Sequence, residues 1–201
     1  MDTFDAFDTI DANSGTLEIG GAGTLGSIGD RVWLDVPDLV FGGFEQLRIE
    51  AANVRALRPF ARYYGEIIEY LAQTHKVVPF AFDWRISLEK EADRLAADVR
   101  RELDAVRGHR QPVRFLAHSL GGLVARAMIA RHEVLWLEIC ATPGARLVML
   151  GTPNGGSHAI TELLVAQSAI LRKLARCDIT HSPRDLLEVI ARFPGVLSIL
   201  P

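Results

Sequence analysis

Ala117-His118-Ser119-Leu120-Gly121-Gly122 constrains this chain more than any other stretch, because it joins an apolar run to a helical pattern through one serine. Upstream, Pro112-Val113-Arg114-Phe115-Leu116 reads as a short strand. Downstream, Leu120, Leu123, Val124, Ala127 and Met128 recur at helical spacing. A serine at such a junction reads as a nucleophile elbow, a sharp strand-to-helix turn that lifts the hydroxyl above the edge of a sheet. The strained backbone calls for small neighbours two residues before and two after, here Ala117 and Gly121. The helix opening behind the serine aims its N-terminal amides and positive dipole end at a developing oxyanion. A serine N-cap in an ordinary βα unit is the plainer alternative.

Around this junction, strand and helix patterns alternate as in a doubly wound α/β sheet, mostly parallel with helices on both faces. Phe60, Ala61, Tyr64, Ile67, Ile68 and Leu71 mark one helix, with Pro59 suited to its first turn. Lys76 to Phe82 reads as a strand, its internal Pro79 favouring an edge or a bulge. Ser87 is placed to cap a helix striped by Leu88, Ala92, Leu95, Val99 and Leu103. Arg146 to Leu150 reads as a further buried strand, closed by Gly151-Thr152-Pro153-Asn154-Gly155-Gly156-Ser157. Beyond it, Ile160, Leu163, Leu164, Leu171 and Leu174 predict one amphipathic helix, interrupted at Gln167. Leu186, Leu187, Ile190 and Phe193 predict another. The expected division is a core over residues 1–157 and a lid or cap-like helical segment over 158–201, with two ordinary packing helices as the alternative.

Composition narrows the function classes. With 201 residues and 49% hydrophobic content the chain suits one domain with a sizeable core. A net charge of −3 offers no basic field for nucleic acid. Cys140 and Cys177 make neither a CxxC nor a metal-type spacing, so no metal or disulfide framework is expected. The acidic opening Met1-Asp2-Thr3-Phe4-Asp5 lacks the apolar stretch of a secretory signal, and no run is long enough to span a bilayer. A cytoplasmic location is therefore expected.

Gly21, Gly23 and Gly26 satisfy G-x-G-x-x-G, the dinucleotide fingerprint, yet Val32-Trp33-Leu34 follows where that motif needs a helix. No cofactor is expected on that ground. A glycine-rich loop at this point also suits a backbone that must approach a substrate carbonyl closely.

Several motifs, in order, resemble the lecithin:cholesterol acyltransferase-like branch of the α/β-hydrolases, which holds lipases and acyltransferases. Ala22-Gly23-Thr24-Leu25-Gly26-Ser27 is similar to its PG-x-x-GS oxyanion loop, with Ala22 in place of proline. Val32-Trp33-Leu34-Asp35 resembles its W-x-D segment, and Phe82-Asp83-Trp84-Arg85 its YDWR motif. Ala117 to Gly122 resembles GHSLGG, Leu150 to Ser157 the segment where the lid begins, and Phe193 to Pro201 a segment within the lid. The resemblance implies an α/β-hydrolase fold, Ser119 as nucleophile, and the N–H groups of Thr24 and Leu120 as oxyanion donors. It implies a lipid or small ester as substrate and transient contact of the lid with a lipid surface. Asp83, Trp84 and Arg85 would shape the acyl pocket or support the lid; the alternative is a local ion pair around a packed tryptophan.

The same resemblance implies an acid and a histidine after the lid, in the order Ser, Asp, His. The chain stops at Pro201 before such strands, so it is expected to be truncated at its C-terminus. Asp178 and His181 follow Ser119 in the right order but lie three apart, unlike the separate loops of this fold. His118 reads as structural and His158 as a helix-start or surface residue. Two functions follow: a serine hydrolase or acyltransferase working through Ser119, or a catalytically incompetent hydrolase-fold remnant that binds a lipid or a partner.

Overall fold

The computed structural model describes residues 10–11, 16–18, 33–35, 48–49, 61–105, 111–168, 171–172 and 180–201. The glycine-rich loop with Thr24, together with Asp178 and Cys177, lies outside them.

The elements that carry the site form one βαβ unit. Strand β4 (Arg114–His118) leads through Ser119 into helix α3 (Leu120–Arg131), then α4 (Glu133–Cys140), then strand β5 (Arg146–Leu150). The two strands pair in parallel, Arg114 opposite Arg146 and His118 opposite Leu150. The fold is thus mixed, with helices around a small parallel sheet. Three earlier strands, β1 (Ile10–Asp11), β2 (Thr16–Glu18) and β3 (Trp33–Asp35), make a separate antiparallel sheet. The mostly parallel sheet of the sequence reading is corrected to that extent. Lys76 to Phe82 runs without joining a sheet among the described residues. Arg146 to Leu150 is not buried either: Val148, Met149 and Leu150 are 45%, 39% and 48% exposed.

Helix α1 (Ala61–Ala72) precedes this unit, and α2 (Leu88–Ala105) packs along α3. Ala92, Leu95, Ala96 and Val99 recur at i, i+3, i+4 and i+7, so one stripe of α2 is buried. Against it α3 turns Val124 and Met128, both almost wholly buried. Each side chain of that size stabilises the fold by about 1.5–3 kcal/mol on removal from water. The Ser87 hydroxyl accepts from the Lys90 amide at 3.4 Å at the start of α2.

The expected long helix after β5 is interrupted. Helix α5 (His158–Leu164) ends at Val165, and Ala166 takes a left-handed φ of 59°. Helix α6 (Pro183–Ile190) begins with a capping box: the Ser182 hydroxyl accepts from the Asp185 amide while the Asp185 carboxylate accepts from the Ser182 amide. The Ser182 hydroxyl also donates to that carboxylate at 2.7 Å, and this bond first, then the amide's, holds the Asp185 carboxyl below its ordinary pKa. Phe193 caps the short α7 (Pro194–Leu197). Leu186, Val189, Ile190, Phe193, Val196 and Ile199 join the same apolar core as Trp84, Leu120 and Val124. No helix among the described residues is long and apolar enough to cross a membrane.

Candidate active site

Ser119 sits between the last residue of β4 and the first of α3, with φ 51° and ψ −126°. A non-glycine residue rarely takes a positive φ, and such strain costs on the order of 1–3 kcal/mol, so its surroundings must hold it. Two backbone bonds do so. The Ser119 amide donates to the Leu150 carbonyl at 2.8 Å, and the Gly122 amide donates to the Ser119 carbonyl at 3.0 Å. The first ties the turn to the end of β5; the second closes it into the helix. Ser119 is 4% exposed and Leu120 is fully buried. Leu120 contributes one of the first-turn amides of α3, which have no carbonyl within the helix to receive them.

The glycine whose missing side chain matters is Gly122. A Cβ there would collide with the side chain of Thr152, in the turn after β5, whereas one at Gly121 would stand 3.6 Å from Phe82 Cε1, an ordinary contact. The demand for a small residue two after the serine is corrected accordingly: the close neighbour comes from a segment distant in sequence. Thr152 Oγ1 is buried over Gly122 without a hydrogen-bond partner. Gly122→Ala is expected to destabilise the fold by about 1–3 kcal/mol through overpacking. A thermal melt would show it, and Thr152→Ala in the same chain should recover part of the loss. An unchanged Tm for Gly122→Ala would rule out the close approach.

Phe82 leads into the second cluster. Asp83 and Arg85 form a buried, two-pronged ion pair: Arg85 Nε lies 2.9 Å from Asp83 Oδ1 and Nη2 lies 2.6 Å from Oδ2. The Asp83 amide donates to Glu91 at 3.0 Å, and Arg94 Nε donates to Glu91 at 2.8 Å. Arg94 also donates to the Ala81 carbonyl and lies over the Phe80 ring. The turn is therefore stitched to α2 by charge-assisted bonds. Trp84 meets Phe193 edge to face, centroids 5.3 Å apart. Gly195 lies so close to the Trp84 carbonyl that a Cβ would not fit, and its amide donates to the Arg85 carbonyl at 3.3 Å. Asp83, Trp84 and Arg85 thus join the turn beside the elbow to the α6–α7 segment.

Among the described residues the histidines are distributed over several places. His118 is bonded to Tyr64 and His75 lies between Thr74 and Arg114. The His181 ring contacts Thr180, and His158 opens α5. His132 Nε2 lies 2.7 Å from Asp93 Oδ1, and Arg131 grips the same carboxylate through two nitrogens. That pair has the composition of a catalytic dyad but stands at the wrong end of α3, roughly 20 Å from Ser119 at 1.5 Å per residue. The Arg131 bond first, then that of His132, lowers the Asp93 pKa from 3.8 to about 2. A depressed carboxylate contributes stability above its unfolded pKa and loses it as pH falls through the folded one. The Tm gap between the wild type and Asp93→Asn should therefore close between about pH 4 and pH 2. A gap that is constant over that range would exclude the contribution.

Among the described residues no group of three or more His, Cys, Asp or Glu side chains is placed to hold a metal.

With that geometry in hand, comparison with known proteins gives one match. Residues 68–176, more than half of the chain, match the family described as "Putative serine esterase (DUF676)". The chain belongs to that family. The matched span holds β4, the Ser119 turn, α3 and β5. No curated protein and no solved structure matches the chain. Family membership carries the serine-esterase class and goes no further towards a particular branch.

Proposed function

We propose that this protein hydrolyses carboxylic esters through an acyl-enzyme on Ser119. The observation that carries the reading is the left-handed φ of 51° at a serine between a parallel strand and a helix. Strain of that kind persists where it aims a reactive group. The Ser119 oxygen attacks the ester carbonyl carbon as a base takes its proton, and the carbonyl becomes an oxyanion. Collapse expels the alcohol and leaves the acyl group on Ser119; a second attack by water frees the acid and restores the serine. The Leu120 N–H and that of Thr24 are the proposed oxyanion donors, a role for which a first-turn amide is suited by its orphaned hydrogen and the helix dipole.

Within the esterase class, the motifs shared with the lecithin:cholesterol acyltransferase-like branch support a lipid or small ester as substrate. They also support residues 158–201 as the covering segment that meets a lipid surface. An alcohol replacing water in the second step would make the chain an acyltransferase. A fluorophosphonate probe tests the nucleophile directly: the intact mass should rise by one phosphonyl group on wild type and not on Ser119→Ala. Labelling of both, or of neither, removes Ser119 from the role.

A further inference from the structure

Tyr64 stands on the face of α1 that also carries Ile68 and Leu71, one and two turns further along. Its hydroxyl lies 2.9 Å from His118 Nδ1, and the two rings meet edge to face with centroids 5.9 Å apart. Phenol and imidazole each carry a donor and an acceptor, so the bond survives either charge state of the ring by reversing its direction. His118 is the last residue of β4 and directly precedes Ser119.

The strained turn is held from three sides. Behind it, the Gly122 amide and the Thr152 contact fix the helix; across the ladder, the Leu150 carbonyl takes the Ser119 amide. Ahead of it, the hold comes through His118, anchored to a helix more than fifty residues away in sequence. We propose that Tyr64 is a positioning residue: its bond to His118 fixes the backbone entering the elbow and so keeps Ser119 aimed for attack. The proposal rests on Ser119 as nucleophile and adds a residue outside the strand, the turn and the helix. The outer face of α1 carries Tyr63, Ile67 and Tyr70, which are 40%, 38% and 67% exposed. The contact made by Tyr64 is thus a specific tie between α1 and the elbow.

Tyr64→Phe removes the hydroxyl while keeping the ring and its edge contact, so the fold should survive. The expected result is about a tenfold fall in kcat for a nitrophenyl ester and in the rate of Ser119 phosphonylation, with KM unchanged. In a His118→Phe background the same substitution should add no further loss, because the partner is already gone. A Tyr64→Phe chain that acylates at the wild-type rate overturns the proposal, as does an equal further loss in the His118→Phe background. A wild type that neither turns over nor labels removes only the nucleophile reading. Amide exchange at Leu120 to Gly122 then decides: faster exchange in Tyr64→Phe supports the clamp, and equal exchange overturns it.

Discussion

Ser119→Ala is expected to abolish ester hydrolysis while leaving the fold in place. The substitution deletes one oxygen from a residue that is 4% exposed, and its backbone bonds to Leu150 and Gly122 remain. Alanine must still adopt the φ of 51°, so the strain is carried over unchanged and the melting temperature should move little. Turnover should fall much further, because no acyl-enzyme can form. In a well-studied serine protease, losing the nucleophile costs on the order of a millionfold. Residual acceleration from oxyanion donors and binding sets the floor above the buffer rate. The measurement is release of nitrophenol from a short-chain ester by matched preparations of both chains. Robust turnover that survives in Ser119→Ala would assign the chemistry to another group. Equal, near-background rates in both would favour a hydrolase fold that binds a lipid or a partner without turning it over.

The second large effect concerns stability. Arg85→Ala is expected to lower it by about 3–5 kcal/mol, since truncating one partner leaves the Asp83 carboxylate buried without its bidentate cation. The side chains of the pair are 2% and 8% exposed, so water cannot replace the guanidinium cheaply. The loss should spread beyond the pair, because the same turn carries Trp84 against Phe193 and receives the Gly195 amide. For a chain of this length each kcal/mol shifts Tm by about 2–4 °C, so a fall on the order of 10 °C is expected. Replacing both partners with apolar residues, as in Asp83→Leu with Arg85→Met, should cost less than the single truncation. If Arg85→Ala melts with wild type, the pair contributes nothing and the turn is held by packing alone.

The parts of this structure written into local sequence are those with local causes. The 3.6-residue stripe of α2 needs only that one face be buried, and Ala92, Leu95 and Val99 state it directly. The capping box at Ser182 and Asp185, with Pro183 in the first turn, is likewise complete within four residues. The elbow was legible for the same reason: an apolar strand, a serine and small residues opening a helix stand side by side in the chain.

What tertiary structure alone decided depends on partners far away in sequence. Lys76 to Phe82 has the apolar content of a strand, yet a strand exists only when another backbone lies alongside it, and no local pattern reports that. Val148, Met149 and Leu150 look like core in sequence; their exposure follows from what packs on the β4–β5 pair, which hydrophobicity cannot specify. The break at Ala166 appears in sequence as no more than one polar residue in an apolar stripe. Gly122 rather than Gly121 bears the steric demand because Thr152 arrives from thirty residues downstream. Tyr64 reads as one more apolar position on α1 until the fold sets it against His118. The sequence by itself determined where the serine turn lies and which helix follows it. The tertiary structure decided what holds that turn, because a strained backbone is held by contacts among segments that only folding brings together.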